Sequence, residues 1–150
     1  MRHFGHRFRV LHWISSQMLN EPASQMGLTA SQGRFIGFIA NAKEPPCPKD
    51  LEDFFQLSHP SISGVLKRLE QKEFIEFRSD PNDGRSKRIY LLPKGYECHE
   101  RVLNQIQAIE QTVVAGFTPE EEELFSQFLD RAVTNLCGKS CRCTEKKEDS

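Results

Sequence analysis

The sequence predicts a mainly α-helical fold with one small β-hairpin, and three observations carry that reading. Six segments read as helices from apolar spacing or from proline and capping residues at their starts. Two β-rich runs, residues 74–78 and 88–92, flank one turn-forming segment, Ser79 to Gly84. Helix-starting and helix-stopping residues stand between these segments in a consistent order.

The first helix is expected over residues 6–20, where Phe8, Leu11, Ile14 and Met18 share a face and Pro22 closes the segment. Thr29 and Gln32 form a capping box that opens a second helix, which carries Phe35, Ile36 and Ile39 and runs to Asn41. Pro45, Pro46 and Pro48 make a loop of residues 43–48, and Pro48 suits the first position of a short helix reaching Phe55. Proline disfavours helical geometry at the residue before it, so the next helix is expected to start at Pro60 and to bury Ile62, Val65, Leu66 and Leu69. After the hairpin, Pro93 and Gly95 mark a helix carrying Val102, Leu103, Ile106, Ile109 and Val113. Gly116 breaks it, and Thr118-Pro119-Glu120-Glu121 starts the last helix, with Leu124, Phe125, Phe128, Leu129, Val133 and Leu136 as its stripe.

Two short helices a few residues apart followed by a hairpin make a winged helix-turn-helix. We assign residues 29–95 to it, residues 6–28 and 96–137 to flanking N- and C-terminal dimerisation helices, and residues 138–150 to a flexible Cys-containing tail. The outer helices carry more apolar surface than a small winged core can use, so a homodimer is expected.

Composition bounds the function. A chain of 150 residues that is 37% hydrophobic and 27% charged is a folded domain, neither a large multidomain enzyme nor a disordered chain. It has no apolar run of membrane-spanning length and no apolar signal core at its start, so no membrane partner and a cytoplasmic location are expected. The formal net charge of -1 hides a gradient of +1 over residues 1–58, +3 over 59–96 and -5 over 97–150. The basic third is the winged one, and double-stranded DNA is the partner expected of it. In a helix-turn-helix the second helix enters the major groove with its N-terminal residues. Those are His59, Ser61, Ser63 and Gly64, preceded by Ser58 and followed a turn later by Lys67 and Arg68. The hairpin adds Arg85, Lys87 and Arg88, which can reach the backbone or an adjacent minor groove.

These residues resemble the wing signature of the MarR family of bacterial winged-helix transcriptional regulators. The segment from Asp80 through Asp83, Arg85, Lys87 and Leu91 to Gly95 is similar to the family's Asp-x-Arg wing and the helix start after it. Leu28-Thr-x-x-Gln32 and Leu57-Ser-x-x-Ser61-x-Ser63-x-x-Leu66-x-Arg68-Leu69-Glu70 fit as well, and the likeness runs from residue 6 to 137. It implies a homodimer with interlocked terminal helices that reads a pseudo-palindromic operator. Arg85 would be the wing arginine, oriented by a charge-assisted hydrogen bond to Asp83. It also implies a repressor released by a small-molecule effector, in a pocket to which Trp13, Met18, Phe35 and Phe38 would contribute. The sequence departs from the pattern at three places: Leu92 stands where Thr usually caps, Glu73 where Gly usually ends the recognition helix, and Cys47-Pro48 at a helix start where a hydroxyl is common.

Cys47, Cys98, Cys137, Cys141 and Cys143 are an odd set in a chain with no secretory feature, so reduced thiols are expected. Cys137, Cys141 and Cys143 support an alternative, a thiol-based metal or redox sensor, although three ligands are one short of a closed zinc site. A winged-helix interaction module without DNA binding is the other alternative. His3, His6 and His12 lack partners at ligand spacing, so neither a metal site nor a cofactor is assigned. No phosphate loop, nucleophile elbow or metalloprotease motif occurs, and an enzyme is not expected.

Overall fold

Capping chemistry sets the limits of most elements in the computed structural model, which describes residues 3–137. Thr29 Oγ1 accepts from the Gln32 amide at 3.2 Å and Gln32 Oε1 from the Thr29 amide at 3.0 Å, so α2 (Ala30–Asn41) opens on the expected capping box. Asp50 accepts from the Cys47 amide at 2.7 Å ahead of α3 (Pro48–Phe55), supplying the charge that a hydroxyl at Cys47 would not. Thr118 and Glu121 exchange a second reciprocal pair, 3.2 and 2.9 Å, at the start of α6 (Pro119–Cys137).

The first helix differs from expectation. α1 spans Phe4–Gln25 and continues through Pro22. Pro22 and Ala23 are buried, and that packing offsets the hydrogen bond that proline cannot give to the Met18 carbonyl. The stop comes one turn later at Gly27, with φ +73°, where Leu28 and Gly27 donate to the carbonyls of Ala23 and Ser24. A Cβ on Gly33 would stand 2.9 Å from that of Ala23, so α1 and α2 cross closely.

The recognition-helix candidate, α4 (His59–Gln71), begins one residue before the expected Pro60, because the extended Ser58, with ψ 152°, rather than His59 takes the cap geometry. It ends by the same device as α1: Phe74 donates to Leu69 and Glu73 to Glu70, with Glu73 at φ +64°. A glutamate therefore occupies the left-handed position where the resemblance leads one to expect glycine. Closing the helix uses the Phe74 amide, so β1 starts at Ile75 rather than Phe74 and runs to Ser79. It pairs antiparallel with β2 (Lys87–Leu91) from Ile75↔Leu91 to Ser79↔Lys87. α5 (Pro93–Val113) then leaves the sheet across Gly95, where a Cβ would lie 2.4 Å from the Phe74 carbonyl oxygen. Only glycine permits that approach.

Phe35, Ile36, Leu51, Ile62, Leu66, Leu69, Phe74, Ile75, Ile89 and Cys98 are the large buried side chains of one core, drawn from α2, α3, α4, α5 and the hairpin region. Burial pushes the Cys98 thiol up from its ordinary value, consistent with packing rather than reactivity. Two compact units divide within α5, the first ending at Ile109 and the second starting at Glu110. The second, taken by itself, includes α6, which has no buried residue; Phe117 and Phe125 meet edge to face there, with centroids 5.6 Å apart. No helix among the described residues is long and apolar enough to cross a membrane.

Candidate nucleic-acid interface

The two faces of α4 separate sharply. Ile62, Leu66 and Leu69 are buried, Val65 half-buried, while Ser61, Ser63, Gly64, Lys67 and Arg68 are exposed. His59 and Ser58 are exposed at its start. This is the spacing by which one helix anchors in a core and offers its other face to a groove. Ser58 and Ser61 share a hydroxyl–hydroxyl hydrogen bond of 2.9 Å, and His59 Nδ1 sits 2.5 Å from Glu52 on α3. Glu52 in turn lies 3.8 Å from Lys49, which also pairs with Asp53 at 3.0 Å. Glu52 and His59 are brought together across the turn of the helix-turn-helix, and no local sequence pattern marks that pairing.

Beside α4, a hollow of about 260 Å³ is lined by Pro48, His59, Ser63, Leu66, Lys67, Glu70, Phe77 and Lys87. Of the residues expected at the interface it gathers His59, Ser63 and Lys67 from α4 with Lys87 from the wing, and Lys87 also lies 6.0 Å from the Phe77 ring centroid. Arg85 and Asp83 stand exposed at the wing tip. The Asp83 carboxylate accepts from the Arg85 amide and the Ser86 hydroxyl, both at 3.1 Å. These bonds shape the turn through the backbone, so the expected bond from the Arg85 guanidinium to Asp83 is replaced by one from the Arg85 main chain.

Arg88 is placed differently from its neighbours. Its Nε donates to Asp80 at 2.7 Å and its terminal nitrogen to the Pro45 carbonyl at 3.3 Å. Asp80 is 7% exposed, and its carboxyl is held below the ordinary range first by the Asn82 amide and then by Arg88. Arg88 faces the body rather than leaving the wing.

Of the four residues assigned to an effector pocket, Phe35 and Phe38 both pack on the Phe55 ring. Phe35 lies in the core, stacked on Phe55 at 4.5 Å; Phe38 meets Phe54 at 4.7 Å; and Trp13 is exposed. Met18 lines a shallow hollow with Gln17, Asn20, Glu21, Ser24 and Gln25 instead. Helical spacing identified apolar residues on separate helices but not which of them converge. Cys141 and Cys143 lie outside the described residues, and among those described no group of three or more His, Cys, Asp or Glu side chains could hold a metal ion.

Known proteins share the fold on which this arrangement stands. The family model for the MarR family matches residues 26–86, which hold α2 to α4, β1 and the wing turn. A Clostridium acetobutylicum structure assigned to the MarR family of transcriptional regulators is 30% identical, with 88% of this chain and 97% of that one covered and a TM-score of 0.72. Staphylococcus aureus MepR, solved as a DNA complex, is 26% identical over 88% of this chain and 98% of its own, with a TM-score of 0.76. Another MepR structure describes it as a transcription regulator of the multidrug efflux pump MepA. The HTH-type transcriptional regulator YybA of Bacillus subtilis (strain 168) is 21% identical over 91% of this chain and 87% of its own length.

Proposed function

The chain belongs to the MarR family of transcriptional regulators, and from that premise we propose that it is a homodimeric repressor that binds a pseudo-palindromic double-stranded operator and is released by a small-molecule effector. The observation that carries the DNA reading is the exposed face of α4 gathered with the wing, in which Ser63, Lys67 and Lys87 meet at one hollow and Arg85 is exposed on the wing turn. Ser58, His59, Ser61, Ser63 and Gly64 are assigned to base edges and nearby phosphates, Lys67, Arg68 and Lys87 to phosphates, and Arg85, on a turn shaped by Asp83, to the minor groove. MepR, in its DNA complex, supports the same use of this fold. The exposed stripes of α1 and α6 support pairing with a second copy.

Selection of bound sequences from a random duplex pool, followed by salt titration, tests the reading. The expected product is a two-fold related pair of half-sites about one helical turn apart, bound with a steep salt dependence. Recovery of unenriched sequence, with binding indifferent to salt, would leave the winged-helix interaction module as the better account.

A further inference from the structure

The wing root is held by a side chain that the DNA-facing reading does not use. Arg88 on β2 reaches Asp80, at the entry to the wing turn, and the carbonyl of Pro45, in the loop between α2 and α3. The next residue continues the attachment: the Ile89 amide donates to the Pro46 carbonyl at 2.8 Å. Asp80 is fixed from its own side as well, since its amide donates to the Ser86 carbonyl at 2.9 Å and its second carboxylate oxygen accepts from the Asn82 amide at 2.9 Å. One guanidinium thus ties together the α2–α3 loop, the start of the wing turn and the strand that leaves it. Two adjacent prolines make the loop side a stiff anchor.

We propose that Arg88 is a positioning residue of the wing, which sets the angle of the hairpin against the recognition helix through Asp80 and Pro45 and does not itself touch DNA. The inference rests on the DNA-binding reading above. Three physical points support it. The Arg88 charge is already matched by a nearly buried carboxylate, so a phosphate would have to compete with Asp80 for it. A planar guanidinium can serve two acceptors lying in different directions, whereas a lysine ammonium offers no such fixed geometry. Asp80 precedes by three residues Asp83, whose carboxylate sets the turn from which Arg85 leaves, so a displaced Asp80 carries the tip with it. Arg85 and Lys87 gain from the strap as any preorganised contact does, by losing less freedom on binding.

The sign of one substitution separates positioning from contact. If Arg88 touches phosphate, Asp80→Asn frees a cation and removes an anion from the DNA face, and operator binding tightens. If Arg88 positions the wing, Asp80→Asn weakens operator binding by about tenfold, and Arg88→Met and Arg88→Lys do the same. The Asp80→Asn/Arg88→Met pair is then no worse than either alone, because both remove one strap. Arg85→Ala added to Arg88→Met costs little more, since Arg85 is already out of place. Amide exchange provides a measurement without DNA: the Ile89 and Asp80 amides should exchange faster in Arg88→Met and Asp80→Asn while the α4 amides of the core stay protected. Tighter or unchanged operator binding by Asp80→Asn, or unchanged exchange at Ile89, overturns the proposal. If the parent itself shows no salt-dependent duplex binding, the DNA reading fails, and exchange still decides whether the strap holds the wing.

Discussion

The winged body and the terminal helices treat apolar side chains in opposite ways. In the body, Ile62, Leu66 and Leu69 on α4 are 0–1% exposed because α2, α3, α5 and the hairpin contribute to the same core. On α6, Leu124 is 49% exposed, Phe128 58% and Leu136 85%, and Phe8, Leu11 and Ile14 on α1 are also exposed. Both sets follow helical spacing. Periodicity therefore reports that a face will be covered, but not whether the same chain or another copy covers it. With the dimer proposed above, the difference between the regions becomes one of stability in isolation against stability through association.

The largest expected effect breaks the comparison on its associating side. Phe128→Ser removes a side chain worth about 1.5–3 kcal/mol when buried, and a symmetric dimer loses it twice. The dimer dissociation constant should rise by about two to four powers of ten. Light scattering coupled to size exclusion measures this, and a variant that associates like the parent would mean that the α6 stripe is not the interface.

Leu66→Ala tests the other side. A cavity in the winged core should cost about 2–5 kcal/mol of unfolding free energy with no direct effect on the dimer contact. Chemical denaturation at several protein concentrations separates the two contributions. Arg85→Ala comes next, with a loss of about 1–3 kcal/mol in operator binding and none in stability, because the wing tip belongs to neither buried surface. Competition binding and a thermal melt read the two halves of that expectation.

Smaller effects sharpen the local account. Glu73→Gly should stabilise the body by about 1 kcal/mol, since the left-handed backbone at the end of α4 strains a side chain and suits glycine. A shift of the denaturation midpoint to lower denaturant would contradict the assigned φ. The Asp80 strap gives the smallest signal. A carboxyl depressed below its unfolded value contributes stability above that value and loses it as pH falls through the folded one. Wing protection, corrected for intrinsic exchange, should stay level from pH 8 to 5 and fall only below about 4. Loss of protection near neutral pH would point to another group.

Local chemistry explains how much of this was legible in the sequence. The Thr29–Gln32 and Thr118–Glu121 caps and the turn at Gly116 involve residues within a few positions of one another, so residue types alone specify them. The hairpin was legible to within one residue for the same reason. Pro22 misled because its cost depends on burial, which spacing does not encode. At the candidate interface, the outward face of α4 followed from its inward one. Arg88 read like Lys87 in sequence, yet its partners lie eight and forty-three residues away. The pairing of His59 with Glu52 was hidden in the same way, as was the packing of Phe35 and Phe38 on the aromatic rings of α3.

The proline within α1 has a mechanical consequence. The Met18 carbonyl lacks its regular amide donor, so the helix is softest under bending at that level. With Pro22 and Ala23 buried in the last turn, bending of α1 is expected at the level of Met18. From Met18 back to Phe4 the arm is about 21 Å long at 1.5 Å per residue, so a tilt of roughly 10° there displaces its end by about 4 Å. A lever of that ratio turns a small strain beside the core into a movement the size of a side chain at the far end of α1.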